Sequence, residues 1–175
     1  MGYAVELYFD AVTETDIRSR WARLADAGVG DDLGVLGFRP HISLGLCGDL
    51  SDPAAFRAAL DDELCSGLPL DVTLASVGLF PGTVLFLAPI VTTPLLRFHQ
   101  QFARIFGAYA EQPAPLYAPG RWAPHCTLTL NLRPDEHSRA VEAALDAPLP
   151  LHGQLVGVGL SASRPDASRL RFLLS

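Results

Sequence analysis

Pro40-His41-Ile42-Ser43-Leu44-Gly45-Leu46 and Pro124-His125-Cys126-Thr127-Leu128-Thr129-Leu130 are two copies of one phrase, Pro-His-x-(Ser/Thr)-Leu-x-Leu. Each copy follows a proline and is rich in aliphatic and β-branched residues, so each reads as a strand. Alternate side chains of a strand share a face. His41 and Ser43 therefore point one way, and Ile42 and Leu44 the other. The second copy divides likewise, with His125 and Thr127 opposed to Cys126 and Leu128. Each copy offers one imidazole and one hydroxyl on a common face, backed by an apolar face that can pack.

The repetition extends beyond the phrase. Leu68-Pro69-Leu70, Leu74 and Val77-Gly78-Leu79 follow the first copy, and Leu149-Pro150-Leu151, Leu155 and Val158-Gly159-Leu160 follow the second at the same internal spacing. A helix-like segment passing through Ala-Ala-Leu-Asp (58–61 and 143–146) lies between phrase and echo in each case. Short aromatic strands close the copies, Leu85-Phe86-Leu87 and Arg171-Phe172-Leu173. Two copies of so long a period do not make a solenoid. The expectation is an α+β fold in one bilobal domain, 1–175, with duplicated segments at about 38–88 and 122–174. Pseudo-twofold symmetry would set antiparallel-rich sheets along a central cleft, with helices outside and His41 and His125 on opposite sides of it.

Element by element, Tyr3 to Phe9 reads as a first strand. Thr13 opens a helix with Asp16 three residues on, and Ile17, Trp21 and Leu24 form its inner face. Ser51 or Asp52 caps the next helix, with Pro53 in its first turn. Residues 68–80 and 83–88 read as a hairpin turned by Pro81-Gly82. Thr93-Pro94 opens a third helix, with Leu95, Phe98, Phe102 and Ile105 inward. Residues 110–121 are Pro-rich and irregular, a candidate loop covering the site. Pro134 starts a fourth helix to about Leu145. The closing strands, about 149–161 and 169–174, are joined by Arg164-Pro165-Asp166.

Bulk composition narrows the classes. The chain has 175 residues, 49% of them apolar and 18% charged, enough for a sizeable core. No apolar run approaches the roughly 18–20 residues that span a bilayer, and no signal peptide is legible at the N-terminus. Cys47, Cys65 and Cys126 form neither a disulfide framework nor a zinc pattern, so a cytoplasmic setting is expected. A net charge of −6 disfavours long duplex nucleic acid; a monomer is the expectation.

Two facing histidines suit phosphodiester cleavage. One imidazole takes a proton from the attacking oxygen and the other protonates the leaving oxygen, and a pKa near 6.5 allows one neutral and one charged ring. Ser43 and Thr127 are placed to bind the non-bridging phosphate oxygens. Arg39, Arg121 and Arg133 flank the phrases as candidate phosphate ligands, and Tyr8, Tyr117 and Trp122 as candidate base-stacking rings, with core packing the competing role. His99, His137 and His152 read as structural or solvated, and neither cofactor nor metal is called for.

On these motifs the sequence resembles the 2H phosphoesterase superfamily, which includes 2′-5′ RNA ligase-like proteins and cyclic phosphodiesterases. Its mark is a pair of His-x-(Ser/Thr)-hydrophobic motifs, one per lobe, met here by His41-Ile42-Ser43-Leu44 and His125-Cys126-Thr127-Leu128. The resemblance implies a metal-independent activity on 2′,3′-cyclic or 2′-5′ phosphodiesters of nucleotides or RNA ends, with His41 and His125 catalytic and Ser43 and Thr127 on the phosphate. Arg39, Arg121, Tyr117 and Trp122 are the candidate substrate-binding residues. Two other readings use the same residues: an RNA 2′-5′ ligase or transesterase, and a binding module that holds a nucleotide or RNA end without turnover.

Overall fold

The computed structural model describes residues 2–81, 83–163 and 169–173; for 162–163 and 169–173 only the backbone is described. The expected turn at Pro81-Gly82 and the connection Arg164-Pro165-Asp166 lie wholly or partly outside the described residues. The fold is α+β. Its strands are β1 (Gly2–Phe9), β2 (His41–Cys47), β3 (Asp49–Leu50), β4 (Leu70–Phe80), β5 (Val84–Pro89), β6 (Ala110–Glu111), β7 (Cys126–Thr129), β8 (Leu151–Ser163) and β9 (Arg169–Leu173). The helices are α1 (Ala11–Asp26), α2 (Pro53–Glu63), α3 (Thr93–Tyr109) and α4 (His137–Leu145).

The helices start where short polar side chains can hold free backbone N–H groups. The expected start of α1 at Thr13 is corrected: Asp10 caps the helix, its carboxylate accepting from the Val12 and Thr13 amides, while the Thr13 hydroxyl donates to Asp10 at 2.7 Å. Asp52, not Ser51, caps α2, with Pro53 in the first turn. Thr92 caps α3, which buries Leu95, Phe98, Phe102 and Ile105 as expected. Pro134–Glu136 form a 3-10 turn that runs into α4. Both echo prolines follow cis peptide bonds, Leu68–Pro69 and Leu149–Pro150.

One sheet carries both motifs. Its strands run in the order β2-β1-β8-β4-β5-β7, all antiparallel, with β9 also on β8. The motif strands β2 and β7 are therefore the two ends of the path. Each pairs with a strand from elsewhere in the sequence, β2 with β1 and β7 with β5. The long strand β8 joins the two ends, pairing with β4 over Leu151–Leu155 and with β1 over Leu155–Ser163.

The irregularities of the ladder match as well. Ser43 and Gly45 are the partners of the consecutive residues Glu6 and Val5, so Leu44 is an extra residue in β2. Thr127 and Thr129 are the partners of Phe86 and Leu85, so Leu128 is an extra residue in β7. Leu44 and Leu128 hold the same place in the two phrases. Ala75 in β4 and Val156 in β8 are likewise extra, and they too correspond in the repeat. A bulge sharpens local twist and re-aims the side chains beside it. Two such pairs curl the sheet, and its end strands meet.

The core fills the space between sheet and helices. Ile42, Leu44, Cys126 and Leu128 are all buried there, on the side away from the histidines, as the alternation requires.

Candidate active site

The two ends of the sheet meet beside Cys126. The backbone N–H of His41 faces the sulfur of the fully buried Cys126. His41 and Ser43 on β2, and His125 and Thr127 at the start of β7, then line one cavity of about 510 Å³. Its walls are mostly aromatic and aliphatic. Phe80 and Val84 come from the β4–β5 hairpin, Leu33 and Phe38 from the loop after α1, and Leu116, Tyr117, Arg121 and Trp122 from the segment after β6.

The imidazoles are held alike. His125 Nδ1 lies 2.8 Å from the Ala123 carbonyl and His41 Nδ1 lies 2.6 Å from the Arg39 carbonyl. In each case the carbonyl belongs to the residue two before, and only an N–H can satisfy it. Nδ1 is therefore the protonated nitrogen, which leaves Nε2 as the atom that can accept or release a proton.

Their surroundings differ. His125 stands edge-on to Phe80 and Phe86, at ring-centre distances of 4.8 and 5.4 Å. Burial pushes its pKa below the ordinary imidazole value, and the nearby His41 adds to that. His41 instead has a carboxylate beside it: Glu6 Oε1 is 3.8 Å from Nε2. Glu6 is buried, and accepts hydrogen bonds from the Tyr8 hydroxyl and from Ser161 Oγ, each at 2.8 Å.

The two tryptophans form another matched pair. Trp122 Nε1 donates to the Ser43 carbonyl at 2.9 Å, and Trp21 Nε1 to the Thr127 carbonyl at 3.1 Å. Each indole thus ties down the backbone of the hydroxyl-bearing residue and lines the cavity. The Ser43 hydroxyl also faces the Tyr117 phenol. Trp122 is stacked on His99, with ring centres 3.9 Å apart and planes within 3°. His99 is buried, with Nε2 against the Leu44 carbonyl, so it supports this wall from behind.

The structure brings most of the flagged residues together. His41, Ser43, His125, Thr127, Arg121, Tyr117 and Trp122 line the cavity. Arg39 does not: it pairs with Glu14 at 2.8 Å and lies over the Tyr8 ring at 4.2 Å. Arg133 is held by Glu136 and Asp135. Tyr8 is core, not a stacking platform. Sequence reasoning passed over Glu6 and assigned Trp21 to packing alone. A lone carboxylate inside the apolar run Tyr3-Ala4-Val5-Glu6-Leu7 was the available signal for the first. Among the described residues no group of His, Cys, Asp and Glu is arranged to hold a metal ion, and no helix is long and apolar enough to cross a membrane.

Residues 13–166 match the family model described as the 2′-5′ RNA ligase superfamily. No curated protein matches the sequence. Among solved structures, TT0787 of Thermus thermophilus is similar at a TM-score of 0.60 and 15% identity, over 100% of this chain and 96% of that one. E. coli LigT complexed with 3′-AMP is similar at 0.59 and 14%, over 99% and 94%. A protein described as a phosphoesterase is similar at 0.53 and 15%, over 99% and 94%. At these identities the likeness is one of fold.

Proposed function

We propose that this chain, which belongs to the 2′-5′ RNA ligase superfamily, is a cytoplasmic, metal-independent phosphodiesterase of 2′,3′-cyclic or 2′-5′ phosphodiesters in nucleotides or RNA ends. The observation that carries the reading is the matched pair of imidazoles on one cavity, each with Nδ1 committed to a carbonyl and a hydroxyl two residues on. The phosphate would sit between them, with Ser43 and Thr127 on its non-bridging oxygens and Arg121 offsetting its charge. A cavity of about 510 Å³ is of a size for a mononucleotide. The structural likeness to LigT complexed with 3′-AMP is in keeping with a small nucleotide.

The asymmetry between the imidazoles supports one division of roles in hydrolysis. His125, kept neutral by burial, takes the proton of the attacking water on Nε2. The water oxygen bonds to phosphorus, and the bond from phosphorus to the 2′ or 3′ oxygen breaks. His41 gives a proton from Nε2 to that oxygen. A phosphomonoester leaves, and the proton on His125 returns through solvent to His41. Each transfer contributes roughly 10²–10⁴ in rate.

The test is a substrate panel: the four nucleoside 2′,3′-cyclic monophosphates, 2′-5′-linked dinucleotides, and a pair of RNA ends with a 2′,3′-cyclic phosphate and a 5′-hydroxyl. Hydrolysis of the cyclic mononucleotides to a single regioisomer supports the reading. Joining of the RNA ends without hydrolysis replaces it with the transesterase. Saturable nucleotide binding with no product from any substrate replaces it with the binding module.

A further inference from the structure

We infer that Phe86 is a positioning residue of this site: its ring, lying in a notch over Gly78, is a fixed platform against which the His125 imidazole is set. The inference rests on the two-histidine reading for its catalytic part only.

Main-chain pairing places the notch. Phe86 on β5 lies directly opposite Gly78 on β4 and Thr127 on β7. Directly paired residues of a sheet project from the same face, so the ring lies on the face that carries the Thr127 hydroxyl. A Cβ on Gly78 would run into Phe86 Cζ and come within 2.5 Å of Cε2. The ring therefore lies across the glycine, and only a hydrogen fits beneath it. Gly78 is not among the glycines of positive φ, so the requirement at this position is room for the ring.

Three rings then pack together. Phe80 stacks on Phe86, with ring centres 4.2 Å apart and planes at 30°, and His125 meets both edge-on. Edge-to-face contact is a favoured geometry for aromatic rings. The Ala123 carbonyl fixes Nδ1, the two phenyl rings limit the tilt of the imidazole, and Nε2 is left for the cavity. Phe80 lines that cavity and Phe86 does not, so Phe86 acts through His125 and not on substrate. The place opposite Ser43 in the other half of the sheet holds Glu6, so the fold itself does not demand a ring here.

The same rings stand where water would, and burial is the main cause of the lowered pKa of His125. Other titratable groups, among the described residues, lie on the elements packed around it. His41 on β2 lowers that pKa further. Arg121 and the Tyr117 phenol belong to the wall formed after β6. The Cys126 thiol is buried in the core. On the loop after α1, Asp31 accepts from Asn131 and Asp32 from the amides of its own turn. On α1, Arg18 lies over the Trp21 ring and is paired to Glu14. Asp71, at the far end of β4, is bonded to Gln154, and β5 has no titratable side chain.

The test is NMR of the full chain, wild type beside Phe86→Leu and Gly78→Ala, with pH profiles of kcat/KM on a nucleoside 2′,3′-cyclic monophosphate. In the wild type, the carbon-bound ring protons of His125 should show cross-relaxation with Phe86 ring protons. Phe86→Leu keeps an apolar side chain without the flat face. Its His125 midpoint should rise by about half a pH unit, and the acid limb of the profile, where His125 gains its proton, should rise with it. The kcat should fall about tenfold with KM changed less. Gly78→Ala should do the same by displacing the ring, and the two changes together should cost little more than either alone. Absence of His125–Phe86 cross-relaxation in the wild type overturns the inference whether or not a variant folds. So does a folded Phe86→Leu of lower stability with His125 midpoint and profile unmoved, the result a merely structural ring would give. Full additivity of the two changes overturns it as well. If the wild type turns over no phosphodiester, the hydrolase reading falls, and cross-relaxation and titration still decide the Phe86–His125 contact.

Discussion

The backbone N–H of His41 faces the sulfur of Cys126, one residue after the other histidine. The two end strands of the sheet are joined at the point where the reaction is proposed to occur. Each imidazole is held there by a main-chain carbonyl two residues before it. Burial raises the Cys126 thiol to about 12 and that of Cys47 to about 11. Only the thiolate is an efficient nucleophile. Iodoacetamide at pH 8 should therefore label the half-buried Cys65 first and leave Cys126 intact in the folded chain. Labelling of Cys126 ahead of Cys65, read by peptide mass spectrometry, would contradict the packing described.

Stability should weaken toward mild acid. Burial lowers the pKa of both His125 and His99. In the unfolded chain these rings take up protons near pH 6.5, whereas in the folded chain they do so only at lower pH. Below 6.5 the unfolded state therefore binds more protons, and stability falls as pH drops through that window. Above about pH 7 the contribution is fully present. Urea midpoints at pH 7 and 5.5 should show the decline, and His99→Gln should make it shallower. Glu14 acts at lower pH: its burial is outweighed by bonds from Arg39 and Arg18, so its share is lost only as pH falls below the ordinary carboxylate range.

Arg121 is the cation at the cavity wall among the described residues, and it is exposed. In the proposed reaction its charge would meet the phosphate in ground state and transition state alike. Arg121→Met should raise KM by about tenfold with kcat little changed, the mark of uniform binding. A fall in kcat at unchanged KM would mean that Arg121 acts in the transition state alone.

Trp122→Phe should cost about fivefold in kcat/KM. The ring is kept but the donor to the Ser43 carbonyl is lost, a net loss near 1 kcal/mol. The same change should reduce any fluorescence response to bound nucleotide, because this indole lines the cavity. A variant with unchanged kcat/KM would show that the indole N–H does not position Ser43.

Gly30 has a φ of +58°, and a Cβ there would run into Thr129 Oγ1 and come within 2.7 Å of the Leu130 carbonyl. Neither obstacle is a free side-chain end: Thr129 is buried and its hydroxyl donates to the Asp31 carbonyl at 2.9 Å. Gly30→Ala should destabilise the fold by about 1–3 kcal/mol, measured by urea unfolding. It should also disturb the loop that presents Leu33 and Phe38 to the cavity.

Much of this is legible in the sequence alone. The alternation within each phrase placed His41 and Ser43 on the cavity and Ile42 and Leu44 in the core, because a period of two leaves no other arrangement. The order of strands was not legible: β2 pairs with β1 and β7 with β5, choices made by tertiary packing that no local pattern records. The bulges at Leu44 and Leu128 were invisible for the same reason. Arg39 and Arg121 flank their motifs at different distances, and only the pairing of Arg39 with Glu14 separates them. A box-like spacing points to Thr13 as the start of α1, while Asp10, with a carboxylate that reaches two amides, holds the cap position. Glu6 was visible as an oddity in an apolar strand, but its neighbours Ser161 and His41 come from strands far apart in sequence.

The most direct measurement is the rate of 2′,3′-cyclic mononucleotide hydrolysis in excess chelator, with wild type, His41→Ala, His125→Ala and the double variant side by side. The account predicts chelator-insensitive turnover in the wild type, a loss of roughly 10²–10⁴ in each single variant, and a double variant little worse than either single one, because the two rings act as a unit. Turnover that survives both substitutions, or that disappears with chelator alone, would contradict it.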